Sequence, residues 1–127
     1  MKIASTAAGL LIVAAATAAA EDLGGLGGLY DAAGTNFNGS RYSGTVGILP
    51  TSTSTCRIKW KIGASEYDGI CMRSGDTFVA TYRMRNVAGL IAYKIKSDGS
   101  LDGTWTIADQ KGTGTEKLTP QRKSPLR

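Results

Sequence analysis

Histidine is absent from this chain of 127 residues. That absence removes the commonest general base, the commonest metal ligand and the side chain that titrates near neutral pH. Ser-His-Asp and Cys-His sites are impossible, and zinc ligand sets built on histidine are excluded. Cysteine is scarce as well, with only Cys56 and Cys71 present. A reactive or metal-binding pair would need closer spacing or further partners. The body of the chain also lacks a charge excess: between Glu21 and Glu116 there are ten basic and ten acidic residues. The formal charge of +5 therefore comes from Lys2 and from the basic end Lys117, Arg122, Lys123 and Arg127.

What is present first is a leader. Lys2 gives a positive start, and an uncharged run from Ile3 ends in Ala18-Ala19-Ala20, a small-x-small cleavage pattern. Residues 1–20 are expected to be a secretory signal peptide. The run is shorter and poorer in large apolar residues than the ~20 that a spanning helix requires. No stable membrane anchor is expected, and the protein is expected to be secreted or periplasmic. In that setting two cysteines read as a disulfide. Removal of the leader leaves about 107 residues, enough for one domain with a single modest core and too few for a large cofactor-binding architecture.

Residues 21–41 are rich in glycine and turn formers and are expected to lie loosely on the domain, with room for one short helical turn. From Tyr42 to Leu118 short alternating runs are punctuated by turn residues. Strands are expected near 42–49, 55–62, 66–73, 77–84, 90–96, 101–108 and 114–118. Connections this short allow only antiparallel neighbours. Residues 119–127 are expected to be a disordered basic tail, and an exported protein is not expected to meet nucleic acid.

One hairpin is readable residue by residue. Gly63-Ala64 suits a two-residue type II′ turn. That register sets Lys61 opposite Glu66, Trp60 opposite Tyr67, Lys59 opposite Asp68 and Cys56 opposite Cys71. A slip of one residue breaks all four matches. In this register the cysteines form a hydrogen-bonded pair, a less usual bridge site that a bulge near Gly69 would alter. Alternation then assigns Cys56, Ile58, Trp60 and Ile62 to the core face, followed by Phe78, Ala80, Tyr82 and Met84, by Ile91, Tyr93 and Ile95, and by Leu101, Trp105 and Ile107. Glycines recur inside strands soon after turns, at Gly44, Gly69 and Gly103, which suits a sheet that curls on itself. The expected fold is all-β: an antiparallel meander of about seven strands, closed or nearly closed into a small barrel mostly filled by side chains, with one disulfide.

Candidate sites are few. Trp60, Tyr67, Tyr93 and Trp105 are candidate ligand or partner aromatics, set against the reading that they fill the core. Arg57, Lys59 and Lys61 form a candidate anion-binding row, set against pairing of both lysines with facing acids. Asp98-Gly-Ser-Leu-Asp102 lacks the ligand count of a calcium loop and reads as a hairpin turn. Asp102 and Glu116 do not stand out as a glycosidase carboxylate pair. No metal, cofactor or catalytic residue is expected.

The strings Tyr42-Ser-Gly-Thr-Val-Gly-Ile, Arg57-Ile-Lys-Trp-Lys-Ile-Gly63, Tyr67-Asp-Gly-Ile, Gly89-Leu-Ile-Ala-Tyr93, Asp98-Gly-Ser-Leu-Asp-Gly-Thr-Trp105 and Gly114-Thr-Glu-Lys-Leu118 resemble a family of small exported bacterial β-rich proteins. Most of that family is uncharacterised, and some members are described as fibronectin-binding. The resemblance implies the fold and an adhesive or partner-binding role, and it brings no catalytic residues. The leading expectation is thus an exported, non-catalytic binding protein for a protein or cell-envelope partner. The alternatives are an inhibitor of a secreted hydrolase such as lysozyme and a carrier of a small apolar ligand.

The secreted protein is expected to begin at Glu21 and to contain no free thiol. Intact-mass measurement and thiol titration without reductant check both; a retained leader or two free thiols would contradict the reading.

Overall fold

The computed structural model describes residues 23–122, so the expected leader at 1–20 and the end of the basic tail (123–127) lie outside the described residues. Eight strands follow one another: β1 (Gly28–Thr35), β2 (Arg41–Pro50), β3 (Thr55–Ile62), β4 (Ser65–Ser74), β5 (Thr77–Met84), β6 (Val87–Ile95), β7 (Leu101–Ile107) and β8 (Gly114–Pro120). Each pairs antiparallel with the next, and β8 pairs back to β1, which closes the barrel.

The expected all-β meander and closure are therefore present, with one strand more. The extra strand, β1, falls in the 21–41 segment that composition assigned to loose chain. Gly28, Asp31, Ala32, Ala33 and Gly34 are poor strand formers on intrinsic grounds. Their conformation is set by position. Without β1, β2 and β8 would each present an unpaired edge, and β1 joins both, from Gly28↔Ile48 to Thr35↔Arg41 and from Tyr30↔Pro120 to Thr35↔Thr115. The tail boundary moves for the same reason: Thr119 and Pro120 belong to β8, and Gln121 N–H donates to the Leu29 carbonyl at 3.0 Å.

The glycine-rich start is also tied down. A 3₁₀ turn at Gly24–Leu26 lies across the barrel end that carries the β2–β3 and β4–β5 loops, and it buries Leu23 and Leu26 in the core. Tyr30 Oη donates to the Leu26 carbonyl at 2.7 Å. Beneath this cap Phe78, Leu101 and Leu118 are fully enclosed. Full burial of a side chain of that size contributes roughly 1.5–3 kcal/mol.

The β3–β4 hairpin has the expected register, including Cys56↔Cys71, Lys59↔Asp68, Trp60↔Tyr67 and Lys61↔Glu66. Gly63 takes the positive φ of 61° that a type II′ turn demands at its first position. Pairing with β3 runs unbroken through Gly69, so no bulge forms in that ladder, and the Cys56–Cys71 bridge closes across Cα atoms 5.0 Å apart. A disulfide points to an oxidising, extracytoplasmic environment. Asp98-Gly-Ser-Leu-Asp102 opens with the expected turn: Asp98 Oδ1 accepts from Ser100 N at 2.9 Å and from its hydroxyl at 2.6 Å. Asn38 and Ser40 build the same arrangement between β1 and β2.

Gly69 marks a close approach of β4 to β5. A Cβ there would lie 1.6 Å from the Thr81 carbonyl oxygen, so backbone meets backbone at this crossing. At Gly47 a Cβ would meet only the Leu29 side chain, at an ordinary 3.5 Å. Gly69→Ala is accordingly expected to cost about 3 kcal/mol or more, whereas Gly47→Ala stays within about 0.5 kcal/mol of the parent. Denaturant midpoints compare the two; equal midpoints would contradict the packing argument.

Candidate functional site

The end of the barrel opposite the 3₁₀ cap is a cup. Inward side chains of the strand ends there leave a cavity of about 320 Å³. Tyr42 from β2, Trp60 and Ile62 from β3, Tyr67 from β4, Tyr82 and Met84 from β5, Ile91 from β6, and Trp105 and Ile107 from β7 line it, with Asn36 at the rim and Glu116 from β8. A volume of this size falls at the small end of ligand pockets.

Glycines make the room for these rings. Directly across the ladders, Tyr42 faces Gly34, Tyr82 faces Gly89, Tyr93 faces Gly103 and Trp105 faces Gly114. A Cβ at any of the four would sit within 2.6 Å of the facing ring. Each aromatic thus lies flat over a backbone that has no side chain, and its direction is set by the wall. The rings also brace one another: Trp60 and Tyr82 meet edge-on at 5.4 Å, and Phe37 stacks on Trp105 at 4.8 Å.

Glu116 is 4 % exposed. Tyr42 Oη donates to its Oε1 at 2.7 Å, Trp60 Nε1 donates to Oε2 at 2.9 Å, and Tyr93 Oη makes a very short bond to Oε2. A buried carboxylate is tolerated only when its lone pairs are met in this way. The phenols respond in turn. Burial, then the charge of Glu116, pushes the Tyr93 hydroxyl well above its usual 10.0, and the same two causes push Tyr42 far up. Tyr82, raised first by burial and then by Glu116 and Tyr67, reaches about 12.

Of the sequence-predicted aromatics, Trp60, Tyr67 and Trp105 line the cup. Tyr93 does not; it is fully buried and faces the cup only through Glu116. The interior is therefore filled at the capped end alone, and the expectation of a mostly filled barrel holds for that half. Tyr42, Tyr82 and Glu116 join the cup beyond those predicted aromatics. Glu116 carries a readable signal: it alternates with Gly114 and Leu118 on the buried face of β8. Asp102 points outward, where it approaches Lys96 at 3.9 Å, so Asp102 and Glu116 lie on opposite faces of the wall. Arg57, Lys59 and Lys61 stand on the outer surface, pointing away from the cup. Lys59 approaches Glu66 diagonally at 3.9 Å; Asp68, its directly facing residue, takes no ion pair among those described. An exposed pair of this kind contributes little.

No protein-family model and no curated protein matches the chain. Solved structures do match. A redesigned β-barrel superposes with a TM-score of 0.63 at 22 % identity, covering 76 % of this chain and 92 % of its own. The redesigned barrel mFAP1, bound to DFHBI, gives 0.61 at 23 % identity over 74 % of this chain and 94 % of its own. A point mutant of the fluorescent protein UnaG gives 0.50 at 12 % identity over 76 % and 96 %. At these identities the likeness is one of fold.

The raised phenols set a pH dependence. Each holds its proton more tightly in the folded than in the unfolded chain, so their contribution is complete below about pH 10. It is lost as pH rises from there through about 12, the value reached by Tyr82. The melting temperature is expected to be level near neutrality and to fall across that alkaline window, with a shallower fall in Tyr82→Phe. Thermal unfolding against pH measures this; identical slopes would contradict it.

Proposed function

We propose that the protein binds one small, predominantly apolar molecule of aromatic-ring dimensions in the cup and performs no chemistry on it. The cavity of about 320 Å³, closed below by a packed core and walled by Tyr42, Trp60, Tyr67, Tyr82 and Trp105, carries this reading. Rigid aromatic walls held by cross-strand glycines lose little freedom on binding, which favours a preformed pocket. The superposition on mFAP1, a barrel bound to a small molecule, supports the same reading. The expected leader at 1–20 would place this binding outside the cytoplasm. Of the functions open to the sequence, the carrier of a small apolar ligand accounts best for the interior.

A protein or cell-envelope partner has its own supporting observation on the outer wall. Leu49 and Ile70 are 66 % and 62 % exposed and flank Arg57 in one cross-strand row, and Met72 lies beside them. This surface and the cup are on opposite faces of the wall, so the two readings are compatible.

Neutral naphthalenemethanol is expected to bind saturably with one-to-one stoichiometry, as measured by calorimetry. Ile107→Trp, which fills the mouth of the cup, is expected to weaken that binding at least about tenfold while melting stays cooperative. Failure of the parent protein to take up this alcohol or a charged analogue on the same ring system would sink the reading.

A further inference from the structure

We infer that the cup selects an organic cation, a substituted ammonium carried on an apolar or aromatic body, and seats its charge against Glu116 among the faces of the surrounding rings. This inference rests on the cup being a ligand site.

The first observation is an imbalance of charge. All three groups that hold Glu116, namely Tyr42 Oη, Trp60 Nε1 and Tyr93 Oη, are neutral donors. The ion pairs among the described residues are Lys59–Glu66, Lys94–Asp76 and Lys96–Asp102, and all of them lie on the outer wall. Buried carboxylates are ordinarily paired with a cation, because hydrogen bonds from neutral groups stabilise the charge without cancelling it. Among the described residues, Glu116 has hydrogen bonds and no counter-ion inside the barrel.

The second observation is the acceptor count. An ionised carboxylate offers about four lone-pair positions. Oε2 takes Trp60 and Tyr93, whereas Oε1 takes Tyr42 alone. One acceptor position on Oε1 is left, and Glu116 borders the cavity.

The third observation is the wall. Trp60 and Tyr82 are inclined at 64°, Tyr67 and Tyr82 at 59°, and Tyr42 and Trp105 at 67°. Rings set at steep angles round one cavity present both faces and edges, and the negative faces attract a cation. An anion would meet the carboxylate and those same faces and be repelled. A neutral ligand would leave the charge of Glu116 unbalanced. A bare metal ion is a poor fit, because a hard cation requires six or more oxygen ligands and the cup supplies one carboxylate and phenols already engaged with it. The rim charges, Arg41, Lys61, Arg85 and Lys111 against Glu66 and Asp109, are all exposed and of both signs, and water screens them.

If Glu116 served only to tie the barrel together, a glutamine would keep the Trp60 and Tyr93 bonds on its carbonyl oxygen and donate its amide N–H to Tyr42 Oη, which can donate to the Thr115 carbonyl, and the sign of the ligand would not matter. The test is therefore a matched series of three probes on one ring system: naphthylmethyldimethylammonium, whose one N–H can reach Oε1, naphthalenemethanol and naphthoate. With the parent protein the cation is expected to bind at least about tenfold more tightly than the neutral alcohol, and the carboxylate at least about tenfold more weakly. In Glu116→Gln the ratio of cation to alcohol is expected to shrink to within about threefold, with circular dichroism reporting whether the variant is folded. Equal affinity of the parent for cation and alcohol overturns the inference and leaves the cup as a ligand site. Failure of all three probes overturns the cup itself. Should Glu116→Gln not fold, the ranking on the parent protein alone decides.

Discussion

The interaction on which the interior depends is the set of three hydrogen bonds that converge on Glu116. They join β8 to β2, β3 and β6, strands that are neighbours of one another only in part. A barrel wall is otherwise held by ladders between adjacent strands, and those leave its cross-section free to flatten. Bonds across the lumen constrain it. The reason for their strength is the environment: in a water-poor interior a carboxylate without partners is costly, and one with three donors holds those donors in place. Tyr42 and Trp60, fixed in this way, become walls of the cup rather than mobile rings.

The arrangement of glycine opposite aromatic is the complementary device. Four inward aromatics need space that an eight-stranded barrel does not offer if every position bears a side chain. Gly34, Gly89, Gly103 and Gly114 supply that space at the positions directly facing the rings. Below Glu116, Phe78, Leu101, Leu118 and the Leu23–Leu26 cap have no such relief and pack solid. One end of the barrel is thus core and the other is cavity, divided at the level of the carboxylate.

Much of this was legible along the chain. Alternation, turn chemistry and charge matching specified the β3–β4 register down to individual pairs, because hairpin contacts are local and each match reinforces the others. The inward faces of β3, β5, β6 and β7 followed from period alone. Strand β1 was not legible: its glycines and alanines carry no strand signal, and its pairing partner β8 lies about eighty residues away, as in the contact between Thr35 and Thr115. Glu116 was legible in face but not in role. Its place between Gly114 and Leu118 marks it as inward, yet nothing local says that Tyr42, Trp60 and Tyr93 will meet it.

The sequence by itself determined the class of the molecule: an all-β meander with a disulfide across one hairpin, without the residues of histidine-based catalysis, behind an expected export leader. Those properties depend on composition and on contacts a few residues apart. Only the tertiary structure decided that the meander closes through β1, that half of its interior stays open, and that a carboxylate stands at the boundary. Closure and cavity are properties of the whole wall. They arise when strands distant in sequence satisfy each other's edges and when side chains from five or more strands compete for one enclosed volume.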